Sequence, residues 1–198
     1  MWRIGITGSI ATGKSTILRA FAAEGVPVFS ADEAVAALYA DEAVAPVEAL
    51  FPGVAVNGVI DREKLSRRLA GDPAGFARLE ALVHPMVRAR IARFLDEAEA
   101  QGHALAAVEV PLLFESGHDY GFDGVAVAFV DEAVQRQRAL ARPGMNVDKL
   151  QTILARQMPQ AEKKRRATWL FDTGESLDRT RAEVAALVAR LRGSENKT

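Results

Sequence analysis

Residues 3–21 read RIGITGSIATGKSTILRAF, and no other stretch limits the possible fold as much. Within it, Gly8-Ser9-Ile10-Ala11-Thr12-Gly13-Lys14-Ser15 satisfies G-x-x-x-x-G-K-[ST] at every fixed position. The flanks fit as well. Arg3 to Thr7 reads as a short strand, and Ser15 to Phe21 opens a helix with Ile17, Leu18 and Phe21 on one face. Strand, glycine loop and helix together make the context this motif requires, against the alternative of a glycine-rich turn that only joins strand to helix.

The chemistry follows from the residue types. Glycines at 8 and 13 can take backbone angles that turn successive N–H groups inward, making a concave anion site. A helix beginning near Lys14 adds its positive N-terminal end. Lys14 brings a full charge to the outer phosphates, and the Ser15 hydroxyl is placed to hold a magnesium ion. A nucleoside triphosphate with Mg2+ is the expected ligand.

Beyond the loop, Val26–Phe29 reads as a second strand after Gly25 ends the first helix. Ser30-Ala31-Asp32-Glu33 has capping-box spacing and opens a helix to about Tyr39. Phe51–Ile60 reads as a loop or small hairpin. Asp61 caps REKLSRRLA, and Asp72-Pro73 starts a helix carrying Phe76, Leu79 and Val83. His84-Pro85 is expected to interrupt that helix, because a residue before proline resists the helical region. A third helix then carries Val87, Ile91, Phe94, Leu95 and Ala98. Apolar runs at Ala104–Val110 and Gly124–Val130 suit buried parallel strands, and Trp169–Asp172 is a further strand. Leu177, Val184, Leu187, Val188 and Leu191 stripe a last helix, and residues 193–198 read as a disordered tail. Alternating strands and helices predict an α/β fold: a five-stranded parallel sheet with helices on both faces and ligand at one sheet edge.

At 198 residues the chain is expected to form one domain, with a helical insertion at about 61–102 and a basic helical lid at about 135–166. Its 25 basic and 26 acidic residues nearly cancel, so no global field favours nucleic acid or an anionic membrane. The absence of cysteine excludes disulfides, zinc-thiolate sites and a cysteine nucleophile. With no apolar run of membrane-spanning length and a core strand starting almost at once, a cytoplasmic enzyme is expected, monomeric or a small homo-oligomer.

The loop alone does not separate a GTPase switch, a motor ATPase and a small-molecule kinase. A guanine-reading Asn-Lys-x-Asp is missing, since the one Asn-Lys lies at 196–197, and the D-x-x-G match at Asp72–Gly75 begins a helix rather than ending a strand. Chain length and the basic segment favour a kinase with an acceptor pocket and a closing lid. Asp32 follows the second strand, where a carboxylate can orient an acceptor hydroxyl toward a γ-phosphate and take its proton late; it equally suits a helix's first turn. Arg136, Arg138 and Arg142, with Lys163-Lys164-Arg165-Arg166, read either as a solvated face or as lid cations that neutralise developing charge. Arg138 and Arg142 stand one helical turn apart. Glu109, amid an apolar strand, either orients metal-bound water or projects from the strand's end. The histidines at 84, 103 and 118 lack metal-ligand spacing.

Taken in order, ITGSIATGKST, VFSADEAV, LEALVHPMV, VEVPLLFE, QRQRALAR and ARQM resemble the dephospho-coenzyme A kinases, from Ile4 to about Leu191. The resemblance implies a P-loop kinase fold and magnesium-dependent transfer from ATP to the ribose 3′-hydroxyl of dephospho-coenzyme A, the last step of coenzyme A synthesis. A nucleoside or nucleotide kinase of the same fold is the alternative. The family's phosphate loop corresponds to Gly8–Thr16, which implies nucleotide contacts from Gly8, Ala11, Thr12, Gly13, Lys14, Ser15 and Thr16. Its catalytic Asp matches Asp32, and its lid arginine, which reaches the ATP phosphates, matches Arg142 as an eighth nucleotide contact; with Lys14 these are the implied catalytic groups. Acceptor contacts are implied for Asp32, His84, Pro85, Pro111 and Leu112, while Gln157 and Lys163 fall on family positions without a derived role. Three residues depart from the pattern. Ser30 replaces an Asp. Ala11 replaces a frequent Gly and is expected to hold ordinary backbone angles. Thr173 replaces an Asn, which puts an adenine contact there in doubt.

Overall fold

The computed structural model describes residues 1–195, omitting the Glu195 side chain. In chain order the first elements are β1 (Trp2–Gly8), α1 (Lys14–Ala23), β2 (Val28–Ser30), α2 (Ala31–Leu38) and α3 (Val44–Leu50). A hairpin of β3 (Ala55–Val56) and β4 (Val59–Ile60) follows, then α4 (Arg62–Leu69) and α5 (Pro73–Ala100). The chain continues through β5 (Leu105–Glu109), β6 (Gly124–Phe129), α6 (Glu132–Leu140), α7 (Val147–Ala155) and α8 (Gln160–Arg166), ending in β7 (Trp169–Asp172) and α9 (Leu177–Glu195). It divides into two compact units, one of residues 1–30 together with the chain from Leu95 onward, the other of residues 31–94.

The first unit is built on a five-stranded sheet in the order β2-β5-β1-β6-β7, with every neighbouring pair parallel. The carboxyl ends of the strands therefore share one edge, and the loop after central β1 emerges there, as the sequence predicts. Ile4 and Ile6 of β1 pack in one apolar cluster with Ile17 and Phe21 of α1, Phe171 of β7, and Val184 and Val188 of α9. Each is 3% exposed or less; burying such side chains contributes about 1.5–3 kcal/mol apiece, and this anchors the start of α1 over the β1 edge. Helix α9 continues through Gly193 to Glu195 instead of fraying there. The rest of the expected tail, residues 196–198, lies outside the described residues.

In the second unit Asp61 caps α4, its Oδ1 accepting from the N–H groups of Glu63 at 2.9 Å and Lys64 at 3.0 Å. The Phe51–Ile60 stretch resolves into the antiparallel β3–β4 hairpin. Its turn residues Asn57 and Gly58 have φ of +50° and +78°, the left-handed pair that matches strand twist.

The expected break at His84-Pro85 does not occur: α5 runs unbroken through Pro85. Leu79, Val83, Val87, Ile91, Leu95 and Ala98 form one buried stripe at three- and four-residue spacing. Proline removes one backbone donor and costs about 3 kcal/mol inside a helix. Burial of six apolar side chains on a single stripe outweighs that. Residues 135–166, expected to form a helical lid, contain most of α6 and all of α7 and α8.

Candidate functional site

The phosphate loop takes its shape from close approaches that only particular residues allow. A Cβ on Gly8, the last residue of β1, would stand 2.6 Å from both the Ala128 carbonyl oxygen and Thr12 Oγ1. Thr12 is fully buried beneath the loop and donates from Oγ1 to the Ser9 carbonyl at 2.9 Å. Gly13 sits at φ +87° as the N-cap of α1, where no side chain caps the helix. The N–H groups of the first turn thus lack a side-chain acceptor and suit an anion. Lys14 Nζ folds over the loop to donate to the Ser9 carbonyl at 3.1 Å.

Ala11 departs from expectation. Its φ is +60°, in the left-handed region, so it adopts the glycine-like conformation despite carrying a Cβ. Surrounding contacts hold it there: Ala11 is 6% exposed and packs with Ile10, Ala139 and Leu150.

A cavity of about 380 Å³ opens on this loop, bordered by Ala11, Gly13, Lys14, Ser15, Thr16 and, from α6 and just beyond it, Arg138 and Arg142. Six of the eight residues expected to contact nucleotide therefore line one cavity, while Gly8 and Thr12 shape the loop from below. Arg138 and Arg142 border the same space, as their spacing suggests. Arg142 stands beyond the end of α6, in the turn closed by the Met145 N–H donating to the Arg142 carbonyl at 3.1 Å.

The far wall includes Thr173, Arg19 and Glu175. Thr173 Oγ1 donates to the Thr12 carbonyl at 2.7 Å, and Arg138 donates to the Thr173 carbonyl at 2.8 Å and to its Oγ1 at 3.3 Å. The threonine that departs from the family pattern is thus a strut between the loop and Arg138. Arg19 lies four residues after Ser15 on α1, so helical spacing contained its signal. Thr173 stood out only through the resemblance, and nothing local to Glu175 announced its place.

Asp32 is exposed in the first turn of α2, two residues beyond the carboxyl end of β2. Glu109 is the last residue of β5, 4% exposed and in register with Ile6 and Ser30. Pro111 and Leu112 follow it, half-buried. The Pro111 carbonyl accepts from Thr7 Oγ1 at 3.3 Å and from Lys163 Nζ at 3.4 Å. His84 and Pro85 are exposed on α5 in the other unit.

The run Lys163–Arg166 does not border the phosphate-loop cavity. Lys163 is fully buried and pairs with Glu115 at 2.7 Å. Burial pushes its ammonium down from the ordinary lysine value, and Glu115 opposes that shift. Lys164 lies 4.0 Å from the centre of the Phe129 ring, and Arg165 and Arg166 both pair with Glu162. Of the segment's basic side chains, Arg138 and Arg142 border that cavity, while those of α8 are engaged by Glu115, Phe129 and Glu162. Gln157, without a derived role from sequence, accepts from the Ile10 N–H at 2.9 Å.

Sheet order, glycine loop and paired arginines define a P-loop kinase fold. The family model described as Dephospho-CoA kinase matches residues 2–178. A dephospho-CoA kinase of Mesorhizobium japonicum is 50% identical over 190 residues, 96% of each chain, and one of Rhodopseudomonas palustris is 48% identical over 185 residues, 93% of each. The chain belongs to the dephospho-CoA kinase family. Among solved structures, the Thermus thermophilus protein TT1252 superposes with a TM-score of 0.80 at 35% identity, covering 96% of this chain and 97% of that one. The dephospho-CoA kinase from Campylobacter jejuni gives a TM-score of 0.67 at 22% identity, covering 96% of both, and supports the fold. No helix among the described residues is long and apolar enough to cross a membrane.

Proposed function

We propose that this chain transfers the γ-phosphoryl group of ATP to the ribose 3′-hydroxyl of dephospho-coenzyme A, giving coenzyme A and ADP, the last step of coenzyme A synthesis. The observation that carries the reading is a preformed phosphate loop with Arg138 and Arg142 on its cavity, in a chain that shares half its residues with a dephospho-CoA kinase along nearly its whole length.

In this reading the loop amides and Lys14 hold the β- and γ-phosphates. Arg142 comes against the transferred group as charge spreads over its equatorial oxygens. Asp32 orients the acceptor hydroxyl and takes its proton late, because a carboxylate is too weak a base to ionise a sugar hydroxyl beforehand. Among the described residues no cluster of three metal-ligating side chains exists. Ser15, which lines the cavity, offers a hydroxyl that suits Mg2+, an ion that takes one or two protein oxygens and fills its shell with phosphate and water. When bound, that ion neutralises charge between the phosphates. Residues 61–102, with His84 and Pro85, serve as the acceptor-binding insertion together with Pro111 and Leu112, and residues 135–166 as the lid. With a net charge of −1, the enzyme works in the cytoplasm without nucleic acid, as a monomer or small homo-oligomer.

A coupled ADP-release assay offering dephospho-coenzyme A against a panel of nucleosides and nucleotides tests the acceptor. Faster turnover of a nucleoside would replace this reading with the nucleoside-kinase one. Asp32→Ala is expected to keep ATP binding and lose at least about a hundredfold in kcat; loss of both, or of neither, contradicts the role given to Asp32.

A further inference from the structure

Ile10 lies within the phosphate loop, and the peptide groups on both its sides are held by side chains far away in sequence. Its N–H donates to Gln157 Oε1 at 2.9 Å, and its carbonyl accepts from Gln135 Nε2 at 2.9 Å. Gln135 is on α6, 6% exposed, and Gln157 lies in the connection between α7 and α8. A relay fixes the Gln135 amide in turn. Gln160 Nε2 donates to Gln135 Oε1 at 2.8 Å, and the Val130 N–H donates to Gln160 Oε1 at 3.2 Å. Gln135 and Gln160 each use donor and acceptor at once, which a carboxylate or an apolar side chain cannot do.

The residue after this doubly held one is Ala11 at φ +60°, an unfavourable conformation for alanine that persists only where its surroundings impose it. A trans peptide points its C=O and N–H in opposite directions. Holding the Ile10 carbonyl against Gln135 therefore turns the Ala11 N–H the other way, and Ala11 borders the nucleotide cavity. We infer that Gln135 and Gln157 are positioning residues for the phosphate-transfer reaction, clamping the two peptides around Ile10 so that the loop stands ready for phosphate before nucleotide arrives, with Gln160 setting the Gln135 amide. The segment read as a lid is thereby bonded to the loop it serves. This inference rests on ATP binding at the loop.

The test uses the full chain with Gln135→Met, Gln157→Met and Gln160→Met, which keep side-chain bulk and remove the amide. KM for ATP and for dephospho-coenzyme A are measured separately, with ATP binding by calorimetry and thermal melting for fold. Gln135→Met and Gln157→Met are expected to raise KM for ATP and weaken ATP binding about tenfold, the weight of one buried backbone hydrogen bond. KM for the acceptor should stay within about twofold. Adding Ala11→Gly to Gln157→Met is expected to restore most of the loss, because glycine takes positive φ without the clamp. Unchanged ATP affinity in folded variants, equal rises in both KM values, or no restoration by glycine overturns the clamp. Should the first two variants melt below the assay temperature, Gln160→Met carries the test: a rise of about threefold in KM for ATP supports the relay, and no change overturns it. Wild-type chain that binds ATP but ignores dephospho-coenzyme A would sink the proposed acceptor and leave the clamp to be judged by calorimetry alone.

Discussion

Replacing Glu115 by alanine should destabilise the fold sharply, and the structure says by how much. Lys163 has no exposed side-chain surface; its ammonium meets Glu115 Oε1 at 2.7 Å and the Pro111 carbonyl at 3.4 Å. The same carboxylate oxygen accepts from the Met158 N–H at 2.8 Å, while Oε2 is buried with no hydrogen-bond partner among the described residues. Glu115→Ala leaves the lysine with one long neutral contact and strands the Met158 N–H. Breaking a buried pair from one side costs about 3–5 kcal/mol, a large part of the roughly 5–15 kcal/mol that holds a domain together. At about 2–4 °C per kcal/mol for a chain of this size, Tm should fall by roughly 6–20 °C.

The loss should also depend on pH in a definite direction. Burial lowers the Lys163 pKa in the folded chain, and Glu115 holds it up. Below the folded value both states carry the proton, and the burial penalty applies in full. Between the folded and unfolded values the unfolded chain binds more protons, so stability rises with pH. Without Glu115 the folded value drops further and that window opens at lower pH. The gap in Tm between wild type and Glu115→Ala should therefore narrow as pH is raised from about 7 to about 9.5, below the ordinary lysine value. Melting curves across that range decide it. A variant melting within about 2 °C of wild type, or a gap that ignores pH, refutes the argument. Glu115→Leu with Lys163→Met should recover most of the loss, since an apolar pair of similar volume avoids desolvating either charge.

Arg142→Ala should lower kcat by about a hundredfold or more while changing ATP affinity only a few-fold; calorimetry showing a binding defect of the same size would remove Arg142 from the transition state. Ala11→Gly should change stability by less than about 1 kcal/mol, because relief of the left-handed alanine is offset by glycine's unfolded-state freedom and a lost buried methyl. Ala11→Val should cost at least about 2 kcal/mol in urea titrations, since a β-branched residue fits poorly at positive φ. Equal stability of the two variants would show that the backbone at 11 relaxes freely.

Much of the site could be read directly because its determinants are local. The run from Gly8 to Ser15 places an anion-binding turn between a strand and a helix whatever surrounds it, whereas Arg142 stands beyond the end of α6 and the fold brings it to one cavity with Arg138. Asp61 capping α4 is legible for the same local reason, while Phe51–Ile60 could be read only as a loop or a small hairpin. Pro85 misled because the sequence displays the local cost of a helical proline but not the burial that exceeds it. Ala11 misled likewise: intrinsic preference places alanine at negative φ, and contacts with Ala139 and Leu150, far along the chain, decide otherwise.

The amino-acid order alone determined that a triphosphate cup forms after the first strand of a parallel α/β sheet, since turn chemistry and hydrophobic period act over a few residues. Tertiary structure alone decided which basic side chains face that cup, that Lys163 is buried against Glu115, and that Thr173, Gln135 and Gln157 support the loop. Those partners lie 48 to 161 residues apart. A hydrogen bond or ion pair across such a separation leaves no periodic trace in the chain; it exists only once the sheet has brought its members together.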